Sequence, residues 1–182
     1  MEAIKNLKLE KIVKLTTILI LGTILLAISA KTKIPFYPVP MTMQTFVVLF
    51  LGIALGYRIA VATVALYLFE GLMGIPVFAS GGGWVYFTGP TTGYLIGFIF
   101  STFFAGYLKL NVDPLIVLLK LIFSLSFIYL FGLIWLGAFN GWEKSFFEIF
   151  EMGAKPFLLA ESYKVLILAI LSNSIIKIRK IT

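Results

Sequence analysis

Residues 114–139 read PLIVLLKLIFSLSFIYLFGLIWLGAF. This segment exceeds the length of about 20 apolar residues that an α-helix needs to cross a bilayer. Its one charged residue, Lys120, lies near the start, where a long side chain reaches the membrane surface. Asp113 followed by Pro114 is typical of a helix start, because the carboxylate caps free N–H groups and proline is tolerated at the first helical position. The segment therefore predicts a transmembrane helix.

Five further apolar runs lie near residues 13–30, 41–56, 58–74, 91–109 and 156–176. The chain is 60% apolar and 13% charged, whereas soluble domains are about 45–50% apolar and roughly 25% charged. Lipid must therefore cover the surplus apolar surface. We predict an all-α polytopic membrane protein with six transmembrane helices in a single domain, residues 1–182. Only residues 56–58 separate the runs 41–56 and 58–74, so one long kinked helix, and hence five spans, is the alternative.

The distribution of positive charge favours six spans over five. Basic residues cluster at both ends of the chain, at Lys5, Lys8, Lys11, Lys14, Lys177, Arg179 and Lys180. Cytoplasmic segments are enriched in Lys and Arg, so both termini are predicted to be cytoplasmic, which requires an even number of spans. The only basic residues in the segments then predicted to face outward are Lys31, Lys33, Lys144 and Lys155.

The first apolar run also fits a signal peptide, since small residues end it at 27–30. We interpret it as the first spanning helix, because the rest of the chain is equally hydrophobic.

Several function classes are excluded or disfavoured by composition. The chain has no cysteine and no histidine, which excludes disulfides, thiol nucleophiles and His-based metal sites. No Gly-rich phosphate loop is present, so ATP hydrolysis by that route is excluded. The net charge of +7 is better explained by membrane orientation than by nucleic-acid binding. We expect a protein that is not an enzyme; an intramembrane enzyme and a ligand-free structural subunit remain alternatives.

Two charged residues stand inside the last apolar run. Lys164 follows Pro156 by eight positions, roughly 12 Å along a helix, and Glu161 precedes Lys164 by three, on the same helical face. A charge in the bilayer interior costs roughly 2.5–3.5 kcal/mol. One interpretation is a structural ion pair. We favour a ligand site in the outer half of the membrane, where the ammonium binds a carboxylate and the acid accepts from N–H donors.

Two loops have the composition of buried rather than solvated segments. Residues 74–91 are apolar, aromatic and glycine-rich and carry no charge. Either burial over a ligand or a place at the membrane interface explains this composition. Residues 34–40 hold three prolines, and such a stiff loop suits a lid. Gln44 follows just inside the second run, where its amide is placed to hydrogen-bond a ligand.

Small residues recur every fourth position along the fourth run, at Gly89, Gly93, Gly97, Ser101 and Ala105. Such a face lets helix backbones approach closely in lipid. We expect it to pack against other helices of this chain; a docking face for another subunit is the alternative.

Four segments carry a resemblance to a known family: PVPMTMQT at 38–45, YLFEG at 67–71, GIPVFA at 74–79 and GPTTGY at 89–94. They resemble the BioY family, the biotin-specific substrate-binding (S) components of energy-coupling factor (ECF) transporters, and the resemblance extends over about residues 30–175. It implies six helices, a biotin pocket open to the outer side and a place in the plasma membrane of a prokaryote. It further implies docking to a transmembrane coupling subunit with two cytoplasmic ATPase subunits, transport by tilting in the bilayer, and no cofactor besides biotin as the transported solute.

The resemblance also implies a set of functional residues. Family members carry an acid, usually Asp, and a lysine three apart in the last helix, which match Glu161 and Lys164. The predicted substrate-binding residues are Lys164, Glu161, Gln44, Phe78, Gly82, Gly83, Trp84, Tyr94 and Tyr67. Thr23 and Ala27 are the predicted docking residues, at the place of an Ala-x-x-x-Ala motif. We expect Lys164 to bind the carboxylate of biotin, Glu161 its ureido N–H groups and the aromatic residues its body. An S component for another small vitamin is the alternative.

Overall fold

The computed structural model describes residues 2–109 and 113–180, and most of these are helical. The helices are α1 Glu2–Lys31, α2 Gln44–Leu72, α3 Trp84–Phe87, α4 Thr92–Tyr107, α5 Pro114–Phe139, α6 Phe146–Gly153 and α7 Leu158–Ile175. Short 3₁₀ turns at Lys155–Phe157 and Ile178–Lys180 flank α7.

Helix α2 reverses direction at Gly56 and therefore supplies two of the helical segments. Gly56 has φ 75° and ψ 161°, outside the helical region. The amide of Gln44, at the start of α2, donates to the hydroxyl of Tyr67, near its end, over 2.8 Å. A straight helix would separate these residues by about 35 Å. Residues 44–55 and 57–72 are thus antiparallel arms, and the alternative of one kinked span is wrong.

The six predicted helical segments are α1, the two arms of α2, α4, α5 and α7. By length and composition, four stretches of the described residues are able to cross a membrane: Leu9–Lys31, Gln44–Leu72, Pro114–Phe139 and Phe146–Ile175. Helix α4 is apolar but shorter. The six-helix fold is confirmed, whereas the cytoplasmic placement of the termini stays a prediction. The start of α5 is as expected, since Asp113 Oδ1 accepts from the N–H of Leu115 over 2.8 Å.

Helix α4 lies against both α2 and α5 through small residues. A Cβ atom added at Gly97 would lie 2.6 Å from Ile128 Cα of α5, and one added at Gly93 would collide with the carbonyl of Phe131. On the other side, a Cβ at Gly52 of α2 would lie 2.8 Å from Ala105 Cβ. The small-residue face of α4 therefore packs within the chain, which confirms the interpretation preferred from the sequence.

The connections at residues 32–43 and 140–157 contain structure that the sequence did not predict. Strands β1 Lys33–Ile34 and β2 Met41–Thr42 form an antiparallel hairpin around the proline-rich loop. Helix α6 lies in a segment expected to be a loop. A capping box starts it, in which the hydroxyl of Ser145 and the carboxylate of Glu148 each accept from the other residue's backbone N–H.

Candidate functional site

The two charged residues of the last run form a buried ion pair. Lys164 Nζ lies 2.8 Å from Glu161 Oε1, and their side chains are 9% and 5% exposed. Their spacing of three positions on α7 places both on the face that packs into the bundle, as the sequence predicted. Because taking charges out of water is costly, each depends on the other and on further polar partners.

The ammonium group of Lys164 has an acceptor for each of its N–H bonds. It donates to the carbonyl of Thr42 over 2.7 Å, to Thr45 Oγ1 over 3.1 Å and to Glu161 Oε1 over 2.8 Å. A lysine ammonium carries three N–H donors. In this arrangement all three N–H donors of Lys164 are therefore used within the protein; its binding of a ligand stays a prediction.

The carboxylate of Glu161 is used on one oxygen only. Oε1 accepts from Lys164 and, over 2.9 Å, from the hydroxyl of Thr45. Oε2 is buried and has no hydrogen-bond partner of normal geometry among the described residues, although the phenol of Tyr129 lies close enough to interact with the carboxylate. A buried acceptor without a donor costs about 1–3 kcal/mol. Oε2 therefore has room for a better donor than the structure itself supplies.

Glu161 lines a cavity between the loops at residues 39–42 and 79–91 and helices α4, α5 and α7. The empty space between its walls, counted together with the open solvent at its mouth, is about 520 Å³. The lining is mostly apolar and aromatic, with a few polar groups. The residues are Val39, Pro40, Met41, Thr42, Gln44, Thr45, Ala79, Tyr86, Thr91, Tyr94, Leu95, Phe98, Ile128, Tyr129, Phe157 and Glu161.

Gln44 lines the cavity and is held in place by a chain of hydrogen bonds. Its Nε2 donates to the hydroxyl of Tyr67, which in turn donates to the carbonyl of Val77 over 3.0 Å. Its Oε1 accepts from the hydroxyl of Thr42 over 3.1 Å. Tyr67 is fully buried behind the cavity wall. It positions Gln44 and the loop at Val77 and does not line the cavity itself.

The predicted aromatic residues separate into two groups. Tyr94 lines the cavity, and its hydroxyl donates to the carbonyl of Gly153 over 2.8 Å. Phe78 is fully buried beneath the loop, where its ring centre lies 5.3 Å from that of Tyr67 and 4.8 Å from that of Tyr86. Trp84 is 70% exposed. Neither Phe78 nor Trp84 is part of the cavity lining.

Gly82 and Gly83 shape the loop rather than line the cavity. The N–H of Gly83 donates to the carbonyl of Gly71 over 2.6 Å, and Gly83 has a φ of 93°. A Cβ at Gly82 would collide with the carbonyl of Ile75. Both glycines let the loop fold closely over the end of α2.

Thr45, Tyr86 and Tyr129 line the cavity and were not among the predicted site residues. Thr45 ends the PVPMTMQT segment, and Tyr129 is a hydroxyl-bearing residue within an apolar run, so each carried a weak signal in the sequence. Tyr86 lies in the loop outside the spanning helices, and burial raises the pKa of its hydroxyl against the opposing effect of bonds to Thr91 and Ser80. Tyr86 is therefore a neutral phenol at physiological pH.

The two predicted docking residues differ in exposure. Thr23 is buried, and its hydroxyl donates to the carbonyl of Ile20 over 3.0 Å. Ala27 is half-buried against the core. Docking through this part of α1 stays a prediction.

Known proteins similar to this chain agree with this architecture. The sequence model of the BioY family matches residues 3–180. A probable biotin transporter BioY of Pyrococcus horikoshii is 36% identical over 141 residues, which cover 77% of this chain and 82% of the relative. The biotin transporter BioY of Thermotoga maritima is 33% identical over 152 residues, or 82% and 88% of the two chains.

The fold also matches a solved structure, described as the S-component for biotin from an ECF-type ABC transporter. The TM-score is 0.79 at 23% sequence identity, over 92% of this chain and 93% of the other. At this identity the likeness concerns the fold. Since the family's sequence model covers nearly all of the described residues, the chain belongs to the BioY family.

Proposed function

We propose that the chain captures biotin from the outer side of the plasma membrane as the S component of an ECF-type transporter. Membership of the BioY family supports this function, and the names of the relatives as biotin transporters point the same way. The observation that carries the proposal is Glu161, a buried carboxylate on the cavity wall whose Oε2 has no hydrogen-bond partner of normal geometry among the described residues. A ligand that brings an N–H group into this cavity removes the cost of that unpaired acceptor.

The ureido group of biotin supplies such donors. In the proposed binding mode one ureido N–H donates to Glu161 Oε2, and the amide of Gln44 lies on the same cavity wall to bind the remaining polar edge. The apolar body of biotin then packs against Tyr94, Phe157 and Ile128. Nanomolar affinity needs about 12 kcal/mol. Over biotin's roughly 16 heavy atoms this is about 0.8 kcal/mol per atom, below the ceiling for very good small ligands.

For Lys164 the hydrogen bonds support a different role from the one expected from the sequence. Its N–H donors are all used by Thr42, Thr45 and Glu161. We therefore propose that it holds Glu161 in place and does not bind the carboxylate of biotin.

Binding of radiolabelled biotin to the purified protein in detergent tests the proposal, with thiamine and riboflavin as competitors. We expect saturable binding that unlabelled biotin displaces and that the other two vitamins leave unchanged. Displacement by one of those vitamins would identify an S component for a different solute. Absence of saturable biotin binding by folded protein would refute the biotin assignment.

Energy for transport is proposed to come from separate subunits, namely a transmembrane coupling protein and two cytoplasmic ATPases. The sequence contains no Gly-rich phosphate loop. Of the two predicted docking residues, Ala27 has the more accessible side chain on α1. Affinity purification from native membranes tests this assembly, since the coupling and ATPase subunits should copurify. Replacing Ala27 with a bulky residue should reduce their yield without changing biotin binding.

A further inference from the structure

Two lysines on the outer side hold the loop that covers the cavity. Lys31, the last residue of α1, donates from Nζ to the carbonyl of Phe78 over 2.7 Å. Lys33, in β1, donates to the carbonyl of Ala79 over 2.6 Å and to the hydroxyl of Ser80 at 3.5 Å. Because Ala79 lines the cavity, the ammonium group of Lys33 touches a residue of its wall, and that of Lys31 bonds the residue next to it.

The β-hairpin also places Lys33 next to β2, whose residues line the cavity. Lys33 is paired with Thr42, and Ile34 with Met41. Thr42 and Met41 both line the cavity. Directly opposed residues in an antiparallel pair project their side chains to the same face. Lys33 therefore contacts two segments that contribute residues to the cavity lining: strand β2 and the loop at Ala79.

Neither of these two lysines has an ion-pair partner among the described residues. The ion pairs among the described residues are Lys155 with Glu151 and Lys164 with Glu161. Lys31 and Lys33 bond only neutral oxygens, and each ammonium retains at least one N–H donor beyond those bonds. Lys164, by contrast, is neutralised by Glu161 and has no donor left. The charge available to an anionic ligand is therefore at the carbonyls of Phe78 and Ala79, beside the cavity-lining Ala79, and not at Lys164.

We propose that Lys31 and Lys33 recognise the carboxylate of the substrate and thereby set both its orientation and the preference for an anion. This inference rests on the proposed function. The ureido end then enters first and reaches Glu161, while the acidic tail stays beneath the loop at residues 78–80. Because the same ammonium groups bond the loop carbonyls, the bound carboxylate also fastens the loop over the ligand.

A comparison of biotin with its neutral methyl ester separates recognition of charge from general support of the loop. We expect the wild-type protein to bind biotin about tenfold or more tightly than the ester, since charge-assisted hydrogen bonds are the stronger ones. In the double variant Lys31→Met/Lys33→Met, biotin binding should weaken about tenfold or more, and ester binding should change little. The double variant Lys31→Arg/Lys33→Arg should keep most of the preference for biotin, because Arg also binds carboxylates.

Lys144→Met/Lys155→Met is the matched control, since it removes the same charge from exposed positions outside the cavity lining. It should bind both ligands as the wild type does. Because cytoplasmic segments carry the excess of Lys and Arg, removing lysines predicted to face outward should not change the orientation of the protein. Thermal unfolding in detergent verifies that the variants fold. An equal loss for biotin and ester in the Met variant would overturn the inference, as would an unchanged preference. If the folded wild type binds neither ligand, the proposed function itself fails.

Discussion

The buried pair on α7 is asymmetric in its hydrogen bonding. Lys164 has acceptors for all its donors, whereas Glu161 keeps one oxygen without a normal partner. A purely structural pair would be expected to satisfy both members, because unpaired buried polar groups are costly. Glu161 lines the cavity, so we interpret the cost of this incompletely paired oxygen as the source of affinity for an N–H donor.

Replacing both charges together separates architecture from ligand binding. Apolar residues of similar volume in place of a buried ion pair are often neutral for stability, so Glu161→Met/Lys164→Met should unfold near the wild-type temperature. It should nevertheless lose biotin affinity about 100-fold or more, because the acceptor is gone. Thermal unfolding in detergent and labelled-biotin binding measure the two effects. Wild-type affinity in the folded double variant would mean that the pair is structural.

Each single substitution should instead damage the fold. Lys164→Met leaves a buried carboxylate, and Glu161→Met leaves a buried ammonium, without a partner of opposite charge. Removing one member of a buried pair costs about 3–5 kcal/mol. We expect both single variants to unfold at lower temperature than the double variant. If the double variant unfolded at a lower temperature than the single variants, the two residues would not form a buried ion pair.

Helix α4 depends on close backbone contact with its neighbours. At Gly97 an added methyl group would meet Ile128 Cα at 2.6 Å and the carbonyl of Phe127 at 2.8 Å. Both are backbone atoms, so side-chain rotation does not relieve the overlap. Gly97→Ala should therefore lower stability by about 1–3 kcal/mol, despite the better helix propensity of alanine.

Thermal unfolding of Gly97→Ala in detergent measures this effect. Ala138→Ser, which adds one heavy atom at an exposed position of α5, is the control and should unfold as the wild type does. A Gly97→Ala variant at least as stable as the wild type would show that α4 and α5 are further apart.

Arg179 hydrogen-bonds the part of α2 that precedes its reversal at Gly56. Arg179 donates from Nη2 to the carbonyls of Gly52 and Ile53, each over 2.9 Å. These carbonyls lie in the last turn before Gly56, where helix carbonyls lack partners. Arg179→Met should therefore cost about 1–2 kcal/mol of stability and expose the carboxyl-terminal segment to protease. Lys177→Met removes the same charge from an exposed residue and should leave both measurements unchanged.

The orientation of the bundle follows from the charges at its ends and is open to direct test. The chain has no native cysteine, so single cysteines report on position without background. A membrane-impermeant maleimide should label Lys144→Cys in intact cells, and Lys177→Cys only after permeabilisation, because Lys-rich termini stay cytoplasmic. The reverse pattern would turn the cavity toward the cytoplasm and exclude capture from outside.

The sequence alone was sufficient for the helical segments and for the buried charges. Apolar length and helix capping are local properties, which is why residues 114–139 were predicted with the bounds that α5 has. Charges within an apolar run are anomalous wherever they occur, so Glu161 and Lys164 were identified before any contact was known.

Contacts between distant segments were decided only by the tertiary structure. Tyr94 lines the cavity, Phe78 is buried beneath the loop and Trp84 is exposed. Because all three are aromatic, the sequence could not distinguish these positions. Those roles depend on how Gly56 turns α2 and how the loop folds over its end. The saturation of Lys164 likewise required Thr42 and Thr45, which are about 120 positions away in the chain. Whether a residue lines the cavity, and which hydrogen-bond partners it has, depends on residues that are close in space but distant in the chain. The pattern of residues along the sequence does not specify these contacts.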